Sequence, residues 1–230
     1  MKIFGFIISF VAVFGFVDAQ RVVVGVNGTL LNSWIINRNI LEEAEDQEYL
    51  PSLAWNYGVS VAMFPKKRLG LEIDLLYGNH VQRFSGRDPY DAIEYYSSIS
   101  YQKIDVPVML KLVTEGGAFF EFGAVYSSIT NPVYEREGFI EFNMNAVDTV
   151  DFTNRNYEVL LGLGTHIKLA KRLHLSTALR FTWGLSDLKG TDALGVNIEN
   201  SYVYLQDHAT HSAAAGLSLG LVYTFGKPFH

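Results

Sequence analysis

A short polar segment near the end of the chain contains the residue types of a hydrolase. His208 is followed by a second histidine, His211, and by Ser212 directly after it. A histidine can act as the base that activates a serine hydroxyl for attack on an ester, which would suit an enzyme that modifies lipids. The spacing departs from His-x-Ser, and no partnering acid can be placed. We therefore predict no catalytic residue and a protein that is not an enzyme.

Ten ionisable residues are a second group of candidates, because they recur at alternate positions of otherwise apolar segments. A catalytic or metal site could use Glu72, Asp74, Glu158 and His166. Buried charges need partners, however, and five acids here accompany four permanent bases. We predict a structural ion-pair network in a lumen, with no metal and no cofactor. Its members are Glu72, Asp74, Lys103, Asp105, Lys111, Glu121, Glu158, His166, Lys168 and Arg180.

The densest run of acids, at 42–48, is a third candidate. Carboxylate oxygens are hard ligands that suit a divalent cation, but the run lacks the ordered Asp-x-Asp-x-Asp-Gly spacing of a calcium loop. Isoleucines and a leucine precede it within 35–41. The pattern favours a short helix whose acids are solvated.

The segments that must position these residues have a period of two. Bulky apolar residues occupy every second position of 217–225, and small or polar residues lie between them. The same division runs through 55–63, 69–77, 157–169 and 173–185. Small residues inside and bulky residues outside would be the wrong way round for a soluble core. They are the right way round for a barrel wall that faces lipid.

Eight such strands, each of about 9 to 14 residues, would be long enough to cross a bilayer at a tilt. Tight turns are predicted at 65–68, 114–117 and 170–172. Long loops are predicted at 31–50, 84–98, 131–155 and 186–209. Short turns on one rim and long loops on the other are typical of bacterial outer-membrane β-barrels.

Aromatic residues near the strand ends would form girdles at the two membrane interfaces. The residues expected there are Trp55, Tyr57, Tyr77, Tyr101, Tyr126, Tyr157, Trp183, Tyr223 and Phe225.

The start of the chain and its composition indicate an envelope protein. Lys2 precedes an apolar run at 3–17, and Val17-Asp18-Ala19 offers small residues where a signal peptidase cleaves. The run is short against the ~20 residues of a spanning helix, so we predict a signal peptide at 1–19 and one barrel domain at 20–230. The chain has no cysteine, and its net charge of −6 comes without a basic face. These features exclude thiolate chemistry and nucleic-acid binding.

One strand carries a family resemblance. Tyr101-Gln-Lys-Ile-Asp-Val-Pro-Val-Met-Leu-Lys111 resembles the fourth-strand motif of the PorT-like outer-membrane β-barrel family of Bacteroidetes-type bacteria. Leu75-Leu-Tyr-Gly, Phe122-Gly-Ala-Val-Tyr and Leu161-Gly-Leu-Gly follow in the order of that family. The resemblance implies an outer-membrane barrel, and some members take part in a type IX secretion and gliding apparatus. It carries no catalytic residue. Pro107, in mid-strand, predicts a local bulge.

These observations together predict an all-β, eight-stranded antiparallel up-and-down transmembrane barrel in the bacterial outer membrane. Its expected role is structural or a surface interaction. Its expected partners are outer-membrane lipid and, through the four long loops, envelope or secretion-machinery proteins. Two alternatives stay open: the lipid-modifying hydrolase, and a secreted lipocalin-like barrel whose bulky faces point inward around a small apolar ligand.

Overall fold

In the computed structural model the described residues are 21–42, 47–87, 94–137, 146–195 and 208–226, so the predicted signal peptide lies outside them. The strands in these ranges are β1 (Arg21–Asn37), β2 (Gln47–Leu50), β3 (Leu53–Phe64), β4 (Leu69–Arg87), β5 (Glu94–Val113), β6 (Ala118–Glu137), β7 (Ala146–Thr149), β8 (Arg155–Lys168), β9 (Leu173–Gly184) and β10 (Thr210–Gly226). Helix α1 covers Arg38–Glu42, and a 3₁₀ helix covers Gly190–Leu194. Neither helix of this described part is long and apolar enough to cross a membrane.

Eight strands close into a ring in which each strand is antiparallel to both neighbours. The order around the ring is β1, β3, β4, β5, β6, β8, β9 and β10, and β10 pairs again with β1. The short strands β2 and β7 pair with the upper parts of β4 and β6. The predicted eight-stranded antiparallel barrel is confirmed.

The strands are strongly tilted, as their register shows. A path of paired residues that leaves β1 at Trp34 and follows each partner around the ring returns to β1 at Val24, ten residues away. With ~3.3 Å per residue and ~4.8 Å between strands, this stagger corresponds to a tilt of roughly 40°. Residues at the same height along the barrel axis are therefore not directly paired. From each strand to the next, the residue at the same height lies about 1.25 residues away from the paired residue.

Side chains divide by size between the two faces as the period of two predicts. In β10, Leu217, Leu219 and Leu221 are 43–49% exposed, whereas Ser218 and Val222 are buried. The other ring strands repeat this division. The bulky faces therefore point outward, and the lipocalin-like alternative, which needed them inside, is wrong.

Five aromatic side chains lie at one level of the barrel once the tilt is followed from strand to strand. They form what we call the girdle: Trp55, Tyr77, Tyr126, Tyr157 and Trp183, within about one residue of a common level. All five are exposed, and Tyr126 and Tyr157 have ring centroids 5.6 Å apart. Tyr101, which the sequence assigned to a girdle, is only 2% exposed and stacks on His80 inside the barrel. Its strand position alternates inward, so that assignment was wrong.

The strands on one side continue far beyond the girdle, which corrects three of the four predicted loops. Residues 31–37 belong to β1, 84–87 and 94–98 to β4 and β5, and 131–137 to β6. The strands β4, β5 and β6 end roughly 25 Å above the girdle, whereas β8, β9 and β10 end within about four residues of it. We call this raised sheet the wall, comprising 78–87, 94–103 and 127–137 with β2 and β7. Polar residues at outward positions had suggested loops, but they alternate with buried ones and form strands.

Pro107 lies in β5 without the expected bulge. Its register with Val125 of β6 continues that of its neighbours, and β4 pairs with β5 in one register on either side of it. The missing N–H is tolerated because the β4–β5 ladder is interrupted beside it. The irregularity instead lies higher, between Ser100 and Gln102, where β6 contributes an extra residue and Asn131 has a φ of 51°.

Two apolar clusters close the interior. We call the end with the short turns the turn end and the opposite end the loop end. The loop-end cluster contains Ile35, Ile40, Phe84, Ile99, Tyr101, Ile129, Tyr134, Val150, Phe152, Leu188, Ala193 and Leu194. The turn-end cluster contains Val23, Ala62, Phe64, Val113, Phe119, Ala178 and Val222. Because α1 and the 3₁₀ helix supply members of the first cluster, they pack into the barrel mouth.

Candidate functional site: the lumen and the loop end

The lower part of the lumen holds a cluster centred on one guanidinium. Arg180 donates from Nε to Glu121 Oε1 at 2.5 Å and from Nη1 to Asp74 Oδ2 at 2.9 Å, and its Nη2 lies 3.4 Å from Glu72 Oε1. Lys111 Nζ lies 2.7 Å from Glu72 Oε2 and 3.5 Å from Glu121 Oε2. We call these five residues the Arg180 cluster. Its three carboxylates share two bases, and the arrangement joins β4, β5, β6 and β9 across the lumen.

A second cluster lies nearer the loop end. Lys103 Nζ is 2.6 Å from Glu158 Oε1 and 3.2 Å from Asp105 Oδ1. The same Glu158 oxygen accepts hydrogen bonds from Ser212 Oγ at 2.9 Å and from Asn156 Nδ2 at 2.8 Å. These five residues form the Lys103 cluster. It joins β5, β8 and β10.

Glycines beside the bases leave room for these clusters. Arg180 is paired across its two ladders with Gly162 and Gly216, and Lys111 is paired with Gly70. A Cβ added at Gly162 would lie 2.5 Å from Glu121 Cγ. The small residues that the period of two places inside therefore make space for long charged side chains.

Arg180 also separates two cavities in the lumen. The lower cavity is lined by Glu72, Lys111 and His166, the upper by His80, Lys103 and Glu158, and Arg180 lines both. Beyond the lower cavity, Lys111 Nζ lies 3.9 Å from the ring centroid of Phe119 in the turn-end cluster. Along the barrel axis the two charge clusters therefore lie between the two apolar clusters.

The predicted site residues fall into three groups. Eight of them belong to the two clusters. These are Glu72, Asp74, Lys111, Glu121 and Arg180 in the Arg180 cluster, and Lys103, Asp105 and Glu158 in the Lys103 cluster. His166 is also inside, with its ring centroid 4.7 Å from that of Phe119, and it lines the same cavity as Lys111. Lys168 is exposed, so its assignment to the lumen was wrong. It is the last residue of β8 and lies where the strand leaves the barrel.

Sequence reasoning missed several polar residues of the interior. His80 and Gln82 are 3% and 1% exposed, and Gln82 Oε1 accepts a hydrogen bond from the backbone N–H of Ile35 at 3.2 Å. Both continue the inward alternation of β4 beyond Tyr77, where the strand was expected to end. Asn156 was missed because it lies between the predicted loop 131–155 and the predicted strand 157–169, whereas the observed strand begins at Arg155. Extending the period of two through 78–87 would have found His80 and Gln82.

His211 and Ser212, one of the two pairs that the hydrolase alternative offered, do not meet. Ser212 is buried and donates its hydroxyl to Glu158 in the lumen, whereas His211 Nδ1 lies 3.1 Å from the carbonyl oxygen of Ser186. Neighbouring residues of a strand point to opposite faces, so this pair cannot act as base and nucleophile. Among the described residues no group of three His, Asp or Glu side chains is suited to hold a metal ion. Of the acidic run at 42–48, residues 43–46 lie outside the described residues, so the search for a metal site does not cover them.

Asp187 fastens the segment that enters the barrel mouth. Its Oδ1 accepts hydrogen bonds from the backbone N–H groups of Lys189, Gly190 and Thr210 at 2.8–3.0 Å. Partial burial alone would raise the pKa of Asp187, but the three donors together outweigh it and hold the pKa below its ordinary value. Leu188, next to this carboxylate, is fully buried in the loop-end cluster. The hydrogen bonds to the Asp187 carboxylate therefore hold the backbone in the position that buries Leu188.

The wall presents two different faces. Its inward side contributes Phe84, Ile99 and Tyr134 to the loop-end cluster. The side chains on its outward side are mainly polar and are exposed or half-buried: Asn79, Arg83, Tyr96, Ser98, Ser100, Gln102, Thr130 and Glu135. Below the girdle the same strands are apolar on the outside. The change in polarity places the wall in water.

Comparisons with known proteins agree with this architecture. A sequence model of the family described as outer membrane protein beta-barrel domain matches residues 19–190, about three quarters of the chain. No curated protein matches.

Several solved structures are similar at low identity. OprG, an outer membrane protein of Pseudomonas aeruginosa, is 11% identical over 91% of this chain and 100% of that chain, with a TM-score of 0.49. Neisserial surface protein A is 10% identical over 89% and 97% of the two chains, with a TM-score of 0.43. Ail, the attachment invasion locus protein of Yersinia pestis, is 8% identical over 88% and 98%, with a TM-score of 0.39.

Proposed function

The chain belongs to the outer membrane protein β-barrel domain family and is a barrel of the bacterial outer membrane, and from this premise we propose that it is a non-enzymatic, non-conducting surface-interaction barrel. In such barrels short turns face the periplasm and the longer connections face outward. The turn end is then periplasmic and the loop end external. The wall is the part that stands in reach of other envelope proteins.

The observation that carries the proposal is the contrast between a filled lumen and a raised wall. The Arg180 cluster, the Lys103 cluster and two apolar clusters occupy the interior, which argues against a transport path. The outward side of the wall is a paired sheet whose exposed groups include Tyr96, 52% exposed, among serines and Gln102. Tyrosine is enriched in the interfaces of protein complexes.

We further propose that the partner belongs to a protein-secretion apparatus. The resemblance of 101–111 to the fourth-strand motif of PorT-like barrels supports this role. In this chain 101–103 form the base of the wall on β5, and 104–111 continue below it. The same motif would therefore connect the membrane-embedded barrel with the proposed contact surface.

Photo-crosslinking in living cells tests the contact surface. Benzoylphenylalanine is introduced at Tyr96 or Ser100 on the outward side of the wall, and at Tyr57 as the control. Tyr57 is 56% exposed but lies on the apolar band below the girdle. We expect a discrete adduct from the two wall positions, its partner identified by mass spectrometry as a secretion component, and no such adduct from Tyr57.

Three outcomes would contradict the proposal. The surface role fails if the wall positions give no adduct beyond that of Tyr57. The secretion role fails if the adduct forms with a protein outside any secretion system, or if deleting the gene leaves the proteins secreted into the medium unchanged.

A further inference from the structure

The turn end carries a ring of exposed bases. These are Lys66, Lys67, Arg68, Lys168, Lys171 and Arg172. Among the described residues at this end, Glu115 is the one exposed acid, and it pairs with Arg68. We propose that this basic ring binds the anionic headgroups of phospholipids in the periplasmic leaflet.

The level of the ring supports lipid as the ligand. Tyr223 and Phe225, with ring centroids 4.9 Å apart, end the apolar outer face of β10. When the strand tilt is followed around the barrel, Lys66, Lys168 and Arg172 lie within about one residue of the level of Phe225. Bases at this level adjoin the headgroups, because the apolar face next to them contacts the acyl chains.

The bases lie on both sides of the barrel, as suits a ligand that surrounds it. Lys66, Lys67 and Arg68 belong to the β3–β4 turn, whereas Lys171 and Arg172 belong to the β8–β9 turn. These turns lie on opposite sides of the eight-stranded ring. The lipid leaflet surrounds the barrel and therefore meets both turns at once.

The backbone of both turns is fastened to the barrel. Arg21 Nη2 donates to the carbonyl oxygen of Lys67 at 2.7 Å, and the N–H of Thr224 donates to the carbonyl oxygen of Arg172 at 2.8 Å. The turns therefore present their lysine and arginine side chains from fixed positions. Exposed bases at the loop end are instead mixed with acids, as in the pairs Arg38–Glu42 and Lys189–Asp151. Among the residues that the structure describes, the excess of positive charge is specific to the turn end.

Lipid selectivity in reconstituted bilayers tests the proposal. The full chain without its leader is placed in phosphatidylcholine bilayers that contain spin-labelled phosphatidylglycerol or spin-labelled phosphatidylcholine, and electron paramagnetic resonance gives their relative association with the barrel. Each lysine or arginine near the headgroups should favour association of an anionic lipid over a neutral one by on the order of fivefold. We expect phosphatidylglycerol to be preferred several-fold at low salt and this preference to shrink at high salt.

Matched variants assign the preference to the ring. The test variant combines Lys66→Gln, Lys67→Gln, Lys171→Gln and Arg172→Gln. The control removes the same charge at the loop end through Arg38→Gln, Arg83→Gln, Arg155→Gln and Lys189→Gln. We expect the preference to fall toward one in the test variant and to persist in the control. Heat-modifiable migration on a gel verifies that each variant is folded, and Lys171→Gln with Arg172→Gln replaces the fourfold variant if that one does not fold.

Three results would overturn the proposal. They are a wild-type preference near one, an unchanged preference in the test variant, and an equal loss in the control. Peptidoglycan sacculi provide the competing anionic ligand. Salt-sensitive sedimentation with sacculi that is lost in the test variant, without any lipid preference, would assign the ring to peptidoglycan instead.

Discussion

At the scale of single residues, Arg180 has the largest number of ionic partners in the lumen. It contacts three carboxylates from β4 and β6, and its side chain is 10% exposed. Removing one partner of a buried ion pair is strongly destabilising, because it leaves uncompensated charge in a medium of low dielectric constant. The surface pair Lys189–Asp151 has side chains 47% and 60% exposed and offers a comparison.

The first prediction concerns this residue. Arg180→Gln should lower the free energy of unfolding by about 3–5 kcal/mol, since Asp74 would lose its ion-pair partner and Lys111 alone would remain for Glu72 and Glu121. Lys189→Gln, the control, should lower it by less than about 1 kcal/mol. Urea unfolding in lipid vesicles measures both. Similar small losses in the two variants would show that the Arg180 cluster contributes little net stability.

The second prediction concerns the pH dependence of Asp187. Because the folded state holds its pKa below the ordinary value, the ionised carboxylate stabilises the loop end at any pH above the pKa of the unfolded chain. This stabilisation is lost as the pH falls through the lower, folded pKa. The amide NMR signals of Lys189, Gly190 and Thr210 should therefore titrate together, with a midpoint below the ordinary aspartate value.

Asp187→Asn provides the control for that titration. It keeps an oxygen acceptor but removes the ionisable group, so the shared low-pH transition of the three amides should vanish. A midpoint at or above the ordinary aspartate value in the wild type would mean that the three hydrogen bonds do not outweigh burial.

At the scale of elements, the segment 185–195 distinguishes this barrel from one with open loops. Leu188 is fully buried in the loop-end cluster, while Leu185, three residues earlier, is 61% exposed. Thr153 donates its backbone N–H to Leu188 O at 3.2 Å, and Leu188 donates to Thr210 O at 2.8 Å. The segment is thus tied to β10 and to the connection between β7 and β8.

The third prediction compares these two leucines. Leu188→Ala should destabilise the closed loop end by about 2–5 kcal/mol, because it removes buried contacts and leaves a cavity. Leu185→Ala should change it little. Limited proteolysis of folded protein in vesicles should show faster cleavage within 185–195 for Leu188→Ala only. Equal cleavage of both variants would mean that Leu188 does not anchor the segment.

At the scale of the whole molecule, the interior is closed by layers of different kinds. Apolar clusters lie at the turn end and the loop end, and the two charge clusters lie between them. An eight-stranded barrel encloses a space that side chains can just fill. With a stagger of ten residues, the ring brings charges from distant strands within hydrogen-bonding distance.

The fourth prediction follows from this closure. Purified protein in planar bilayers should give no steady single-channel current, because Arg180 and its carboxylates separate the two cavities of the lumen. Heat-modifiable migration verifies insertion of the folded barrel. A steady conductance of the order of nanosiemens would contradict the closed lumen and, with it, the non-conducting role proposed for the protein.

Alternation along each strand was enough to identify the face that points inward. A period of two is a local property, so it identified the outward leucines of β10 and the inward positions of Glu72, Asp74 and Lys103 without any knowledge of pairing. Even the number of ring strands followed from counting alternating segments. The ends of the strands were harder to predict from the sequence, because Ser98 and Ser100 are as compatible with a loop as with the outer side of the wall.

The tertiary structure alone decided which residues meet. Arg180 of β9 reaches Asp74 of β4 only because the ring closes with a stagger of ten residues, and no local pattern encodes that stagger. The burial of Leu188 likewise depends on the cluster formed by four other strands. The interior charges were therefore predictable as a set from their alternation, but their pairing and the packed loop end required the closed barrel.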